Sequence, residues 1–375
     1  CAGKIKIEFI KKDFVDYIWQ MEVNMKITTT SNPKAKPDFT KLGFGKYFSD
    51  HMLLMEYHNG AWGEPEIIPY DDFKMSPATN ILHYGQGIFE GVKAYKDNNG
   101  KITTFRIDEN IKRMNRSAER LCMPTLDADV VIPAIFELIK LEQDWIPTEP
   151  GTALYIRPTM IADDPMLGVH AAHNYKFFVI LSPVGAYYAN GLQPTKIMVE
   201  EQYVRAPLGG TGEAKCMGNY AASLLASEIA ISKGYDQVLW LDAVEHKYAE
   251  EVGAMNMFFV IDGEVITPAL VGSILPGITR KSSIELLRSE GYKVTERRIS
   301  LDEIAKAYDE GRLNEAFGTG TAAVVSPVGV IHYNGRDMIV NNQEMGAITK
   351  DLYEKLTGIQ YGKREDKFGW IFKIN

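Results

Sequence analysis

The residue with the strongest chemical context in this chain is Lys215, in the segment 208–220 (LGGTGEAKCMGNY) just before an apolar helix. An isolated lysine is usually a solvated surface charge. Among small and apolar neighbours, however, a lysine amine loses hydration, its pKa falls, and it becomes nucleophilic toward aldehydes. If Lys215 ends a strand, Cys216 points to the opposite side. We therefore interpret Cys216 as a packing residue, not as a nucleophile.

Two other glycine-bounded loops could bind an anion. The segment 275–280 (LPGITR) leads into an apolar-periodic helix, which would place the backbone N–H groups of Ile278 and Thr279 at the positive end of the helix dipole. Taken alone, an ordinary Pro-Gly turn with Thr279 as N-cap is the favoured interpretation. The segment 318–323 (GTGTAA) also offers backbone N–H groups, and a tight turn between strands explains it equally well.

Other chemical motifs are missing from the sequence. It has no P-loop, HExxH or GxSxG motif, and the segment 85–91 (GQGIFEG) has one residue too many for the dinucleotide fingerprint. His170 and His173 fall in a predicted loop without an evident carboxylate partner, and such histidines are more often polar loop groups than ligands. The sequence therefore disfavours a metal site and a serine hydrolase.

Composition and charge exclude several classes of protein. Apolar residues make up 45% of the chain, enough for a sizeable core, while the net charge of −8 disfavours binding to nucleic acid or anionic lipid. The apolar runs are too short for a membrane span. Three separated cysteines without a CxxC pair fit a reducing cytosol. We expect a cytoplasmic protein with no membrane or nucleic-acid partner.

The elements that must hold these residues form two mixed α/β halves and not a regular βαβ series. In the first half the pattern predicts strands at 51–57, 91–95, 101–106, 152–157 and 175–181, with helices at 108–121 and 129–141. In the second half it predicts strands at 196–201, 237–241 and 292–299, helices at 219–233 and 279–290, and a helix whose capping box is Ser300 with Glu303.

The pattern also predicts the domain boundaries. A Gly- and Pro-rich stretch at 184–195 is the best linker candidate. We expect a partly peripheral N-terminal extension at 1–40, a small α/β domain at 41–183, and a large α/β domain at 196–375 that carries Lys215. We make no fold prediction for the residues before Met25.

Several motifs together resemble a known family. YGQGIFEG (84–91), KxxGNY (215–220), EVGAMN (251–256), LPGITR (275–280) and GTGTAA (318–323) stand in the order and spacing of branched-chain amino acid aminotransferases, with YIRP at 155–158 and VGAYY at 184–188. These are pyridoxal-phosphate enzymes of fold type IV. The resemblance covers roughly residues 42–370 and implies a two-domain α/β (α+β) fold of the D-amino acid aminotransferase type, with pyridoxal 5′-phosphate as cofactor.

The resemblance assigns roles to the catalytic and cofactor-binding residues. Lys215 matches the Schiff-base lysine and proton shuttle. Glu251 matches the carboxylate that pairs with the pyridine nitrogen, and its neighbour Glu250 is interpreted as a surface acid. Tyr220 matches the residue that hydrogen-bonds the ring hydroxylate. The positions that match phosphate ligands are Arg113, the backbone of Ile278 and Thr279, and Thr321.

The resemblance also implies a substrate pocket that accepts both branched side chains and glutamate. Arg157 matches an arginine for the glutamate side chain, and the Thr321–Ala322 turn offers N–H groups to the α-carboxylate. Leu167 and Val169 match a loop that reaches the partner subunit's site, which implies a homodimer. Ala254 lies in a corner whose side-chain preference stays open. The aromatic walls match Phe44, Tyr84, Phe89 and Tyr155, for which core packing is the alternative.

The implied reaction is amino-group transfer between L-leucine, L-isoleucine or L-valine and 2-oxoglutarate. Two alternatives share the fold, a D-amino acid aminotransferase and an aminodeoxychorismate lyase. A third is a nucleotide-binding or catalytically silent protein that uses the glycine loops for an anion. Ala323 and Ser326 stand where vertebrate members have a redox CxxC, so thiol regulation is not expected there. The preference among the three amino acids and the physiological direction stay open.

Overall fold

The computed structural model describes residues 25–97, 99–185 and 192–374. The predictions for the first 24 residues and for most of the linker lie outside these ranges. The chain divides into two compact units, 1–187 together with 359–375, and 188–358. The second unit is therefore inserted, along the sequence, into the first.

The first unit is built on a mostly antiparallel sheet. Its central strands pair over ten residues, from Ala153 opposite Val184 to Ala162 opposite Tyr175. The strands are β1 (Lys26–Ile27), β2 (His51–His58), β3 (Ala61–Trp62), β4 (Glu66–Pro69), β5 (Gly87–Phe89), β6 (Val92–Lys96), β7 (Ile102–Phe105), β8 (Ala153–Ala162) and β9 (Tyr175–Val184), and the helices are α1 (Ile81–Tyr84), α2 (Ile107–Arg120) and α3 (Ala128–Leu141).

Local signals explain most of these elements. Asn59 and Gly60 both have positive φ, as a tight β2–β3 turn requires. Asp127 accepts a hydrogen bond from the Asp129 N–H and caps α3. The prediction that Asp108 caps α2 is wrong, because the N-cap is Arg106 in a left-handed conformation and Asp108 lies in the first turn.

The second unit contains a closed ring of six strands, in the order β12, β11, β10, β17, β16, β13 and back to β12. Closure pairs β12 with both β11 and β13, which places residues 249–256 in the ring wall. The elements are β10 (Thr195–Glu200), β11 (Gln237–Leu241), β12 (Ala249–Val252), β13 (Met255–Ile261), β14 (Glu264–Thr267), β15 (Val294–Glu296), β16 (Leu313–Gly320), β17 (Val324–Tyr333), β18 (Arg336–Ile339), α4 (Met217–Ala221), α5 (Leu224–Ser232), α6 (Ile278–Ser289), α7 (Leu301–Asp309) and α8 (Ala347–Gln360).

Two sequence predictions for the second unit can be compared directly with the structure. The capping box is confirmed, because the Ser300 hydroxyl accepts the Glu303 N–H at the start of α7. The single helix at 219–233 is instead two helices, α4 and α5. The Ser223 hydroxyl donates to the Tyr220 carbonyl at the junction, a local bond that competes with a continuous helix.

The end of the chain returns to the first unit. The last strand, β19 (Ile371–Ile374), pairs antiparallel with β7, from Ile371 opposite Phe105 to Ile374 opposite Ile102. The sequence analysis assigned 359–375 to the second domain, and this pairing corrects it. No local pattern could reveal the pairing, since the two strands are far apart in sequence.

Candidate active site

Lys215 lies in the second unit, in the loop that leads into α4, and not at the end of a strand as the sequence analysis assumed. Its Nζ donates a hydrogen bond to the Tyr220 hydroxyl at 2.5 Å. Cys216 is 4% exposed, which agrees with a packing role. Gly212 allows the loop to pack closely, because a Cβ there would lie 2.1 Å from the Ser273 carbonyl oxygen.

A residue that the sequence analysis missed, Asn219, fixes this loop. Its Nδ2 donates to the carbonyls of Thr211, at 2.7 Å, and Ala214, at 2.9 Å, and its Oδ1 accepts from the Thr211 hydroxyl. Asn219 is buried, so these bonds are sheltered from water. The asparagine of the GNY motif was the available signal, and its function is to hold the backbone on both sides of Lys215.

Glu251 is 3% exposed and is held by complementary groups. One carboxylate oxygen accepts the Leu275 N–H at 2.7 Å, and the other lies 3.3 Å from Arg205 Nε. Arg205 also donates to the carbonyls of Gly212 and Ser273. This arginine, which the sequence analysis did not single out, links the Lys215 loop to Glu251.

Glu250 is buried too, so its interpretation as a surface acid is wrong. It is 4% exposed, accepts a hydrogen bond from the Ser273 hydroxyl, and precedes Glu251 on β12. Successive strand residues point to opposite faces, so these neighbouring acids serve different environments. Burial raises the pKa of Glu250, and the negative charge of Glu251 adds to that shift.

The predicted anion seat has an unusual helix start. Gly277 is the N-cap of α6 and provides no side-chain cap, and Thr279 lies inside the helix instead of capping it. A Cβ at Gly277 would lie 1.9 Å from Asn256 Oδ1. Ile278 and Thr279 therefore begin a helix whose first N–H groups lack a capping side chain, as an anion site requires.

Strand register places further polar groups in one row of the ring wall. Glu251 lies opposite Asn256 on β13, and Asn256 lies opposite Thr319 on β16. Thr319 Oγ1 is buried without a hydrogen-bond partner among the described residues. Thr321 and Ala322 form the turn that follows β16. The turn returns through Val324, whose φ of 63° is a strained conformation for a β-branched residue.

Ala254 lies in the turn between β12 and β13 and is exposed. This turn is next to the end of β16, since a Cβ at Gly320 would lie 4.0 Å from the Ala254 carbonyl oxygen. The two neighbouring turns thus bring Ala254 close to the residues that precede Thr321 and Ala322.

Arg113, in the first unit, is a buried charge and not part of a solvated helix face. Its Nε donates to Glu90 at 2.7 Å and a terminal nitrogen donates to the other Glu90 oxygen at 2.8 Å. The side chains are 4% and 0% exposed. Two parallel bonds to a carboxylate fix the guanidinium plane.

The aromatic residues of the first unit surround Arg157. Its guanidinium lies 4.7 Å from the Phe89 ring centroid and 5.2 Å from that of Tyr155, and it donates to the Tyr155 hydroxyl at 3.2 Å. Phe44 meets Tyr155 edge-on at 5.0 Å. Gly91 makes room for this arrangement, since a Cβ there would lie 2.0 Å from the Tyr155 hydroxyl.

Leu167 and Val169 lie on the loop between β8 and β9 and are 66% and 85% exposed. The exposed Tyr84 lies on α1. Asp164 anchors the loop with its carboxylate, and the groups that donate to it or pair with it are His170, the His173 backbone and ring, and the Asn174 backbone and side chain.

The two histidines therefore have a carboxylate partner, contrary to the sequence analysis. Ligand atoms of Asp164, His170 and His173 all lie within 4.8 Å of one another. The hydrogen bonds lower the pKa of Asp164 to about 2. The Gly168 carbonyl, and then Asp164, raise the pKa of His170. Mutual hydrogen bonds account for this cluster without a metal ion.

The predicted site residues thus fall into two groups, one in each unit. The second unit brings together the turn, loop and helix-start groups, while the first unit carries the buried arginine and the aromatic residues. The residues of the second unit are Lys215, Tyr220, Glu251, Ala254, Ile278, Thr279, Thr321 and Ala322, and those of the first are Phe44, Tyr84, Phe89, Arg113, Tyr155, Arg157, Leu167 and Val169.

Comparison with known proteins gives a consistent result. The family model for amino-transferase class IV matches residues 87–331. The chain is 54% identical to branched-chain-amino-acid transaminase 1 of Bacillus subtilis over 91% of this chain and 96% of the relative. It is 43% identical to the branched-chain-amino-acid aminotransferase of Mycolicibacterium smegmatis over 89% and 92% of the two chains.

Solved structures agree with the sequence relatives. The branched-chain amino acid aminotransferase of Escherichia coli superposes with a TM-score of 0.70 at 30% identity, covering 87% of this chain and 99% of the other. The branched-chain aminotransferase of the thermophilic archaeon Thermoproteus uzoniensis, solved with norvaline, superposes with a TM-score of 0.71 at 25% identity, covering 87% and 100%. Among the described residues, no helix has the length and apolar character that a membrane crossing requires.

Proposed function

The chain belongs to the class IV aminotransferase family and, within it, to the branched-chain amino acid aminotransferases, and from that premise we propose how its residues perform the reaction. The reaction is reversible amino-group transfer between L-leucine, L-isoleucine or L-valine and 2-oxoglutarate. The cofactor is pyridoxal 5′-phosphate. Two solved branched-chain amino acid aminotransferases carry, by name, N-(5′-phosphopyridoxyl)-L-glutamate and pyridoxamine 5′-phosphate, which supports this choice.

The observation that carries the proposal is the Lys215–Tyr220 contact on a loop tied through Arg205 to buried Glu251. The uncapped start of α6 and the unpartnered Thr319 hydroxyl, within the described ranges, fit a phosphate-bearing ring. When bound, pyridoxal phosphate supplies a carbonyl that accepts an amine and a ring that accepts electrons. The residues present therefore fit the group.

Lys215 is proposed to hold the cofactor carbonyl carbon and to move the proton at the substrate Cα. A phenol at 2.5 Å orients the amine without placing a full negative charge beside it. Tyr220 also offers its hydroxyl to the ring oxygen. Proton transfer by a positioned amine contributes a factor of roughly 10²–10⁴ to the rate.

Glu251 is proposed to hold the proton on the pyridine nitrogen. The Leu275 N–H and the Arg205 guanidinium complement its negative charge and fix its orientation. A fixed carboxylate stabilises a positive ring better than water does, because it needs no reorganisation during the reaction. Ile278, Thr279 and Thr321, together with Arg113 from the first unit, are proposed to bind the phosphate.

The first unit is proposed to provide the substrate's surroundings. Aromatic faces bind a branched aliphatic chain by burial, and Arg157 pairs with the side-chain carboxylate of glutamate. The Thr321–Ala322 turn donates N–H groups to the α-carboxylate. The exposed Leu167 and Val169 are proposed to contact a second copy in a homodimer, and the chain is proposed to act in the cytoplasm. The aromatic residues are Phe44, Tyr84, Phe89 and Tyr155.

The test is borohydride reduction of the purified protein followed by peptide mapping. We expect a yellow protein, loss of the visible absorbance on reduction, and the cofactor fixed to the peptide that carries Lys215. Lys233→Ala, which removes an exposed lysine, should behave as wild type. A colourless protein that stays unmodified in added cofactor contradicts the proposal.

A substrate panel then separates the members of the fold. Transfer from L-leucine to 2-oxoglutarate is expected, while D-alanine and aminodeoxychorismate should be inert. Turnover of the D-isomer alone, or of aminodeoxychorismate alone, would replace the proposed substrate class with one of those alternatives.

A further inference from the structure

The second unit contains a cavity of about 200 Å³ that the proposed reaction does not use. One wall is the loop at 242–249, and the other is the segment 268–274 between β14 and α6. Glu250 lines the cavity, whereas Glu251, the next residue on β12, does not. The cavity therefore adjoins the proposed catalytic carboxylate without containing it.

Glu250 is the unusual group in this cavity. Its Oε1 accepts the Ser273 hydroxyl, while its Oε2 is buried and has no hydrogen-bond partner among the described residues. A buried carboxyl oxygen without a partner carries a desolvation cost of about 1–3 kcal/mol or more. A donor entering the cavity would remove that cost, so the site is built to gain a hydrogen bond.

The charges around the cavity favour a cation. Three acids and one arginine line it, Asp242, Glu245, Glu250 and Arg298. Arg298 is already engaged, since it pairs with Glu245 at 3.0 Å and with Asp242 at 3.5 Å. Asp242 also accepts four backbone N–H groups of its own loop. The acid left without a cation in this cavity is Glu250.

The remaining lining is aliphatic. Ala249, Pro268 and Ile274 form the inner surface, and exposed side chains of Leu208, Val244 and Val271 lie at the rim. Such a surface binds short branched hydrocarbon chains by burial. We propose that this cavity is a second ligand site, which binds small aliphatic ammonium compounds through an ion pair with Glu250.

Calorimetry with isopentylamine, and with isopentyl alcohol as its neutral counterpart, tests the proposal. The protein is first reduced with borohydride so that a cofactor fixed at Lys215 cannot react with the amine. We expect saturable binding of the amine, about tenfold tighter than the alcohol, as a charge-assisted bond provides. Equal affinity for the two compounds, or no saturable binding of the amine, overturns the proposal.

Two substitutions locate the site. Glu250→Gln keeps the shape and removes the charge, so it should weaken the amine about tenfold and leave the alcohol within about twofold. Val271→Trp should abolish binding of both by filling the mouth. Ile339→Trp, on β18, is the matched control and should change neither. Unchanged binding in Val271→Trp would overturn the assignment to this cavity, even if Glu250→Gln fails to fold.

L-leucine on the same reduced protein identifies which source of ammonium the site accepts. Binding of both L-leucine and isopentylamine, with both lost in Val271→Trp, supports a site for amino acids. Binding of the amine alone supports a site for simple amines. Circular dichroism of each variant checks that the fold is intact.

Discussion

The two units hold their key cations in different ways. In the first unit, Arg113 makes a two-pronged bond to Glu90, with both side chains buried. In the second unit, Lys215 contacts the hydroxyl of Tyr220. A carboxylate favours the charged form of its partner strongly, whereas a neutral phenol does so weakly. The first arrangement suits a permanent charge, and the second suits an amine that must lose and regain a proton.

The strongest way to break this comparison is Lys215→Ala. If the amine is the proton shuttle, kcat for L-leucine and 2-oxoglutarate should fall by roughly 10⁴-fold, while the midpoint of urea unfolding changes little. A coupled assay of glutamate formation measures the loss. A variant that keeps a tenth of the wild-type rate would show that Lys215 is not the acting group.

Glu90→Gln tests the permanent charge of the first unit. Removing the carboxylate leaves the Arg113 guanidinium buried beside a neutral amide, which should lower the free energy of unfolding by about 3–5 kcal/mol. Urea unfolding followed by tryptophan fluorescence measures it. Glu137→Gln is the control, because its pair with Lys140 is more exposed and should contribute about 0–1 kcal/mol. Equal effects of the two variants would contradict the distinction.

Tyr220→Phe sharpens the comparison on the other side. Losing one hydrogen bond to the amine should lower kcat/KM about tenfold, with little change in folding stability. Tyr235→Phe removes a hydroxyl that bonds to His332 and Asp337 at the surface and should leave kcat/KM unchanged. A Tyr220→Phe variant with wild-type kcat/KM would leave the phenol without a role.

The smallest effect is expected from His170, whose pairing changes with pH. Its pKa is raised in the folded protein, so its stabilisation of the β8–β9 loop is full below the unfolded value of about 6.5 and is lost as pH rises through the folded value. Proteolytic cleavage within 166–171 should therefore speed up between about pH 6 and pH 9. His170→Gln should remove that pH dependence after correction for protease activity.

The sequence predicts the elements of the site better than their burial. Lys215, Tyr220 and Thr321 lie on the expected helix start and turn. The burial of Glu250, however, depends on Ser273 and the 268–274 segment, which are distant in sequence, and an acidic pair alone does not reveal it. Likewise, Asp164 reaches His170 and His173 only through the fold of their loop. Close glycine contacts, such as Gly91 against Tyr155, also require the sheet register.

The pairing of β19 with β7 has a consequence for synthesis on the ribosome. The second unit, 188–358, is a continuous stretch, so all of its strands emerge before the edge strand of the first sheet exists. Until Ile371–Ile374 leaves the exit tunnel, β7 presents an open edge along the nascent chain, a position prone to wrong pairing. The inserted unit thus has a head start in folding, and the older half of the polypeptide is completed last.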